Sequence, residues 1–215
     1  MIDLFCPSRG RPDAAWEVRR SFDATSVTNE VTLSFCVDDD DPTLSQYPTP
    51  IIVGRSTGDP TGPLNAAALA SRAEIVGFLG DDTRFETVGW DAQVIEAMKE
   101  PSFCWGDDGN QVPWPSTVFI TRSITDALGY MVHPSLRRGF FDVQWVNLAR
   151  LTRTERVIEA MFRHDNSAGD PKSPNFKPSH QVPPHVIASD EAAFNHWMKF
   201  QMKADAQRIR HAIYA

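Results

Sequence analysis

EIVGFLGDDTRFETVGWD, Glu74 to Asp91, is the stretch that decides the fold. Its first six residues, Glu74 to Leu79, form an almost unbroken apolar run, as a central strand covered on both faces requires, and Gly80-Asp81-Asp82 ends it. Adjacent carboxylates on a loop repel unless a cation or a proton intervenes. A hard divalent ion resolves the conflict. Magnesium or manganese takes one or two protein carboxylates and completes its shell with substrate phosphates and water, so Asp81 and Asp82 suffice if the substrate carries a diphosphate. Downstream, Trp90 to Glu100 has helical spacing.

Working outward, the preceding segment LNAAALASRA is built of strong helix formers, with Pro63 suited to its first turn and an end expected near Ala73. Earlier still, Ile2 to Pro7 is a short apolar strand closed by Ser-Arg-Gly-Arg-Pro. A helix follows from Asp13, with Trp16, Val18 and Phe22 as its expected buried positions. Val31 to Val37 is a second strand ending in four aspartates, Asp38 to Asp41, and Thr49 to Val53 is a brief third. Strand and helix alternating in this way predict an α/β fold with a mostly parallel sheet flanked by helices, whose ligands bind beyond the carboxyl ends of the strands. The loop Pro7-Ser8-Arg9-Gly10-Arg11-Pro12 lies at that edge, where Arg9 and Arg11 can pair with phosphate oxygens near a helix N-terminus. Asp38 or Asp39 can accept a hydrogen bond from a nucleoside base or a ribose hydroxyl, while at least two of the four aspartates simply form a polar turn.

Beyond Pro101, SFCW and STVFI resemble strands, SITDALG a short helix and FFDVQWVNLARL a longer one, and RVIEAMF suits either state. Five prolines between Gly169 and Val186 predict a loop, expected to act as a lid over residues 170–188. Ser189 is the expected N-cap of a final helix over 189–215, carrying Phe194, Trp197 and Met198 at helical spacing. The domain plan is thus a catalytic unit over 1–169, the proline-rich loop and a C-terminal helical extension.

The 215 residues, 41% of them hydrophobic, suit one substantial core with an appendage. Cys6, Cys36 and Cys104 are odd in number, widely spaced and set among apolar neighbours, which predicts buried thiols in a reducing compartment. No basic leader precedes a long apolar run, and nowhere do eighteen apolar residues follow one another, so a soluble cytoplasmic protein without membrane insertion is expected. A net charge of -7 argues against overall affinity for nucleic acid, although Arg137, Arg138, Arg150, Arg153, Arg156 and Arg163 crowd one stretch.

These strand endings resemble those of the GT-A glycosyltransferases, particularly compact bacterial and phage members of the large inverting group, glycosyltransferase family 2. Relatives carry a PSRGRP-like first loop, aspartates after the second strand, and a metal-binding Asp-x-Asp signature often written GDD with GWD a few residues on. The resemblance covers Ile2 to Gly169. It implies a nucleotide-diphosphate-sugar donor, Mn2+ or Mg2+, and an acceptor hydroxyl on a modified DNA base, a protein or a glycan. Pro7, Ser8, Arg9, Arg11, Asp38, Asp39, Asn65, Gly80 and Asp81 fall at donor-binding positions. Asp82 matches the direct metal ligand, with Asp81 toward ribose or behind the metal, and His164 matches a late histidine that joins the metal or diphosphate. Asp142, in Phe140-Phe141-Asp142-Val143-Gln144-Trp145, matches the acidic segment that supplies the catalytic base.

Two departures are visible. Gly80-Asp81-Asp82 does not bracket a third residue between acids, and Phe141 stands where many relatives have Glu. Asp107 or Asp108, in a Gly106-Asp-Asp-Gly109 turn, competes with Asp142 for the role of base, and Trp105, Trp114 and Trp145 flank the proposed cleft. A nucleotidyltransferase would share the carboxylate and metal logic but usually carries a Gly- and Lys-containing first loop. A non-catalytic metal-binding module would bind the cation without any nucleotide.

Overall fold

A computed structural model describes residues 1–55, 58–110, 114–165 and 182–214. The alternating half forms as its periodicity requires: β1 (Ile2–Pro7), α1 (Pro12–Thr25), β2 (Val31–Asp38), β3 (Ile51–Gly54), α2 (Thr61–Ala70), β4 (Ile75–Phe78), β5 (Thr83–Phe85) and α3 (Trp90–Ala97). The second half contributes β6 (Phe103–Asp107), β7 (Val118–Thr121), α4 (Arg122–Leu128), α5 (Phe141–Thr152), β8 (Glu155–His164), α6 (Pro184–Phe200) and α7 (Met202–Tyr214). RVIEAMF is therefore strand.

The strands form one sheet in the order β3-β2-β1-β4-β7-β6-β8-β5. β3, β2, β1 and β4 run parallel, as do β6 and β8, whereas β7 is antiparallel to both of its neighbours and β5 is antiparallel to β8. Alternation along the strands feeds two cores. Ile2, Leu4 and Cys6 of β1 pack with Val18 and Phe22 of α1 and with Trp90 of α3, while Phe5 joins Leu64 of α2, Ile124 of α4 and Trp145 of α5. Phe194 and Trp197 of α6 and Ala206 and Ile209 of α7 belong to that second core, so the C-terminal helices complete the sheet's cover.

Three sequence expectations need correction. Trp16 is 43% exposed, with its indole N–H donating to the Gln46 carbonyl at 2.9 Å; the buried stripe of α1 is Ala15, Val18, Phe22 and Thr25. The final helix is two helices, divided at Gln201, and the first begins at Pro184, since a proline lacks an N–H that a first turn leaves unbonded anyway. Ser189 therefore lies inside α6 and caps nothing, and Asp190 is fully buried. The short β5 carried no signal in the sequence. The lid expected over 170–188 lies outside the described residues up to 181.

Candidate active site

Parallel pairing of β3, β2, β1 and β4 carries their C-terminal loops to one edge, and the residues singled out there do meet. The Ser8 hydroxyl donates to Asp81 Oδ2 at 2.5 Å and Arg11 Nη1 donates to Asp81 Oδ1 at 2.6 Å, so Asp81 is buried with both oxygens engaged. Burial pushes its carboxyl upward, against the opposing pull of Arg11 and Ser8. Arg9 Nη1 meets Asp38 Oδ2 at 2.6 Å and Asp40 Oδ1 at 2.5 Å, tying the first loop to the second. Asp39 is exposed at the same edge, and its amide donates to the Gly54 carbonyl at 2.8 Å.

Asp41, by contrast, is an internal fastener. It accepts from the Gly10 amide at 2.7 Å and from the Thr43 amide and hydroxyl at 2.8 and 2.7 Å. Tyr47, which sequence reasoning passed over, is 4% exposed beneath the loop, where its phenol lies 3.3 Å from Ser8 Oγ and accepts from the Arg11 amide at 3.0 Å. A lone tyrosine in a polar turn gave no signal of this.

Asp82 takes a different partner. β5 pairs with the end of β8 in a register that sets Thr83 opposite His164, and the Asp165 amide donates to the Asp82 carbonyl at 2.9 Å. His164 Nε2 consequently lies 3.2 Å from Asp82 Oδ1, both side chains being about one quarter exposed. Burial opposes charge on each, yet their mutual attraction prevails: the Asp82 carboxyl is held below the usual range and the His164 imidazole above it. Gly80 leaves room for this arrangement, because a Cβ there would stand 2.6 Å from Asp82 Oδ1. A carboxylate oxygen beside an imidazole nitrogen is a donor set that fits a divalent ion. Among the described residues no group of three His, Cys, Asp or Glu side chains converges, so further coordination would fall to substrate and water.

Beside this pair opens a pocket of about 330 Å³ lined by Phe78, Trp114, Arg138, Phe140, Asp142 and Trp145, with Gly80, Asp108 and His164 among its other walls. Asp142 sits in the first turn of α5, with Oδ1 accepting from the Val143 amide at 2.8 Å. Burial pushes its carboxyl upward, which strengthens it as a proton acceptor. Asp108 also lines the pocket, but its oxygens are occupied by the amides of Asn110 at 2.9 Å and Ser116 at 3.2 Å, while Asp107 accepts from the Gly109 amide at 2.8 Å. Trp105 is core.

Asn65 departs from the role that the resemblance implied. Its amide nitrogen donates to the Val132 carbonyl at 2.8 Å and its oxygen accepts from the amides of Met131 and Val132, each at 2.9 Å, so the side chain braces a loop. Asp91 of the GWD segment is likewise structural: fully buried, it accepts from the amides of Val27 and Thr28. The crowded arginines do not form one field of unpaired cations. Arg163 meets Glu86 at 2.5 Å, Arg150 meets Glu155 and Arg156 meets Glu100, each at 3.5 Å, and Arg137 approaches Asp59 at 3.9 Å.

No protein-family profile and no curated protein sequence matches the chain. Solved structures do. TarS 1-349 of S. aureus in complex with UDP-GlcNAc superposes with a TM-score of 0.64 at 12% identity, over 100% of this chain and 73% of that one. The mannosyltransferase PcManGT of Pyrobaculum calidifontis with GDP-Man and Mn2+ gives 0.58 at 9% identity, over 98% and 73%. Glucosyl-3-phosphoglycerate synthase of Mycobacterium tuberculosis with Mg2+ and UDP gives 0.56 at 10%, over 77% and 72%. The chain has the GT-A fold of these nucleotide-sugar glycosyltransferases.

Proposed function

We propose that this protein is a metal-dependent, inverting glycosyltransferase that moves a sugar from a nucleotide-diphosphate-sugar to an acceptor hydroxyl. The observation that carries the reading is the Asp82–His164 pair, 3.2 Å apart at the C-terminal edge of the sheet, with the Asp142 pocket beside it. Neighbours of the same fold bound to UDP, UDP-GlcNAc, or GDP-Man with Mn2+ support the donor and the cation.

Asp82 and His164 would hold Mn2+ or Mg2+, which when bound supplies Lewis-acid stabilisation for charge growing on the departing diphosphate. Asp81, with both oxygens held by Ser8 and Arg11, would support Asp82 from behind, or reach the ribose by exchanging one of those partners for it. Arg9 and Arg11 steady the nucleotide through charge-assisted hydrogen bonds, for which Arg9 exchanges Asp38 or Asp40 for phosphate. Asp142 accepts the acceptor's hydroxyl proton as the oxygen bonds to the anomeric carbon from the face opposite the diphosphate. The bond from that carbon to the diphosphate breaks, and its electron pair leaves with the nucleoside diphosphate, inverting the configuration.

Calorimetric titration of UDP, GDP, CDP and ADP, each with and without Mn2+, tests this directly. One nucleotide should bind with Mn2+ and weakly without it, and Asp82→Ala should abolish that synergy and the hydrolysis of the matching sugar donor while the protein remains folded. Hydrolysis at the wild-type rate in Asp82→Ala would refute the assignment.

A further inference from the structure

The pocket beside Asp142 has chemistry that a sugar acceptor alone does not require. Its volume of about 330 Å³ falls in the range for small-molecule sites, and the half-buried Phe78, Trp114 and Phe140 give it an apolar wall. Arg138 lines the same pocket, exposed, and its guanidinium has no hydrogen-bond or carboxylate partner among the described residues. Its neighbour Arg137, by contrast, faces Asp59.

The Arg138 backbone is fastened from behind. The amides of Arg137, Arg138 and Gly139 donate to the two oxygens of Asp190 at 3.0, 2.8 and 2.7 Å, and Asp190 is fully buried. Phe140 follows in the left-handed region at φ 66°, a conformation that bulky residues rarely adopt. Its ring is stacked on Phe194 at 5.2 Å. The guanidinium thus extends from a fixed loop. Ser116 lines the same pocket, where its amide donates to Asp108 Oδ2 at 3.2 Å.

Resting on the glycosyl-transfer reading, we propose that the acceptor is a small hydroxylated molecule bearing an acidic group, a phosphate monoester or a carboxylate. The acid pairs with Arg138, an apolar face lies against Phe140 and Trp114, and the hydroxyl is turned to Asp142. That hydroxyl gives its proton to Asp142 and its oxygen to the anomeric carbon, as in the balance above. A nucleic-acid acceptor fits less well, because Arg150, Arg156 and Arg163 already face carboxylates and the chain carries a net charge of -7.

The test is ligand-observed NMR titration of the full chain with phenyl phosphate, benzoate and benzyl alcohol, comparing wild type with Arg138→Ala and Arg138→Lys. One of the acids should bind about tenfold more tightly than the alcohol, with phosphate and carboxylate separated by which it is. Arg138→Ala should remove that preference without weakening the alcohol, and Arg138→Lys should restore part of it, since a point charge lacks the bidentate fork. Equal binding of acid and alcohol, no binding of either acid, or a preference that survives Arg138→Ala would overturn the proposal. So would tighter binding of a DNA duplex that falls steeply with salt and ignores Arg138. If Mn2+ and nucleotide bind the wild type while the acids do not, only the acceptor proposal fails. If neither nucleotide nor sugar donor engages the protein, the transfer reading itself fails.

Discussion

Asp190→Ala should loosen the pocket from a helix, α6, that stands behind the lining residues Arg138, Gly139 and Phe140. Asp190 accepts three backbone hydrogen bonds at 2.7–3.0 Å and is wholly buried. A hydrogen bond to a charged group contributes about 1.5–3 kcal/mol, and the three are not additive. Arg137 and Arg138 are exposed, so their amides regain water once the carboxylate is gone, whereas the Gly139 amide is half-buried and regains less. A loss of about 3 kcal/mol follows. For a chain of this size that corresponds to a fall in Tm of about 6–12 °C. Asp190→Asn keeps one oxygen and should lose about half as much. Urea unfolding followed by circular dichroism should show a lower midpoint at an unchanged slope, and hydrogen exchange at 137–139 should accelerate. A loss below about 1 kcal/mol for the alanine variant would refute the argument. So would an asparagine variant more stable than wild type, because desolvation of the buried carboxylate would then outweigh its three bonds.

Gly80→Ala should act on the cation site and spare the fold. The added Cβ meets only the far end of the Asp82 side chain, which can rotate away, so Mn2+ affinity measured by calorimetry should fall at least about tenfold while stability shifts by under about 1 kcal/mol. Asn65→Ala should do the reverse: three lost hydrogen bonds to residues 131–132 cost about 2–3 kcal/mol in denaturant unfolding, and Mn2+-dependent nucleotide affinity is retained. Asp205 governs part of the acid limb. Burial pushes its carboxyl up, but hydrogen bonds from Tyr130, Trp197 and Arg208 prevail and hold it below its ordinary value. Its stabilisation is therefore present above the ordinary aspartate pKa, about 4, and is lost as pH falls through the lower native value. Thermal unfolding against pH should show Asp205→Asn flattening the slope below about pH 4.

The sequence disclosed what is encoded within one strand and its loop. Ser8, Arg9, Arg11, Asp38, Asp81 and Asp82 could be assigned to one edge because parallel strands share a direction, and an apolar run ending in Gly-Asp-Asp states where that edge lies. Long-range partners were hidden. Asn65 and Asp190 each satisfy backbone amides more than fifty residues away, and a polar residue on a helix carries no mark of which loop it will hold. Trp16 misled for the opposite reason: its ring fits the helical period, but its indole N–H finds a carbonyl at the surface.

His164 shows most clearly why a resemblance could name a residue that periodicity could not place. Its approach to Asp82 depends on β5, three residues long, pairing in one register with the far end of a ten-residue strand. Shifting that register by one residue would turn His164 to the opposite face of the sheet. The register is fixed by burial: Phe85 is 3% exposed and opposite Phe162, and both lock against Trp90 at 4.8 and 5.8 Å. Trp90 therefore has a place in the site's construction despite touching none of its polar groups. The Gly89-Trp90-Asp91 segment is tied to the Gly80-Asp81-Asp82 signature by this aromatic cluster, which aligns β5 on β8 and so brings the imidazole to the carboxylate.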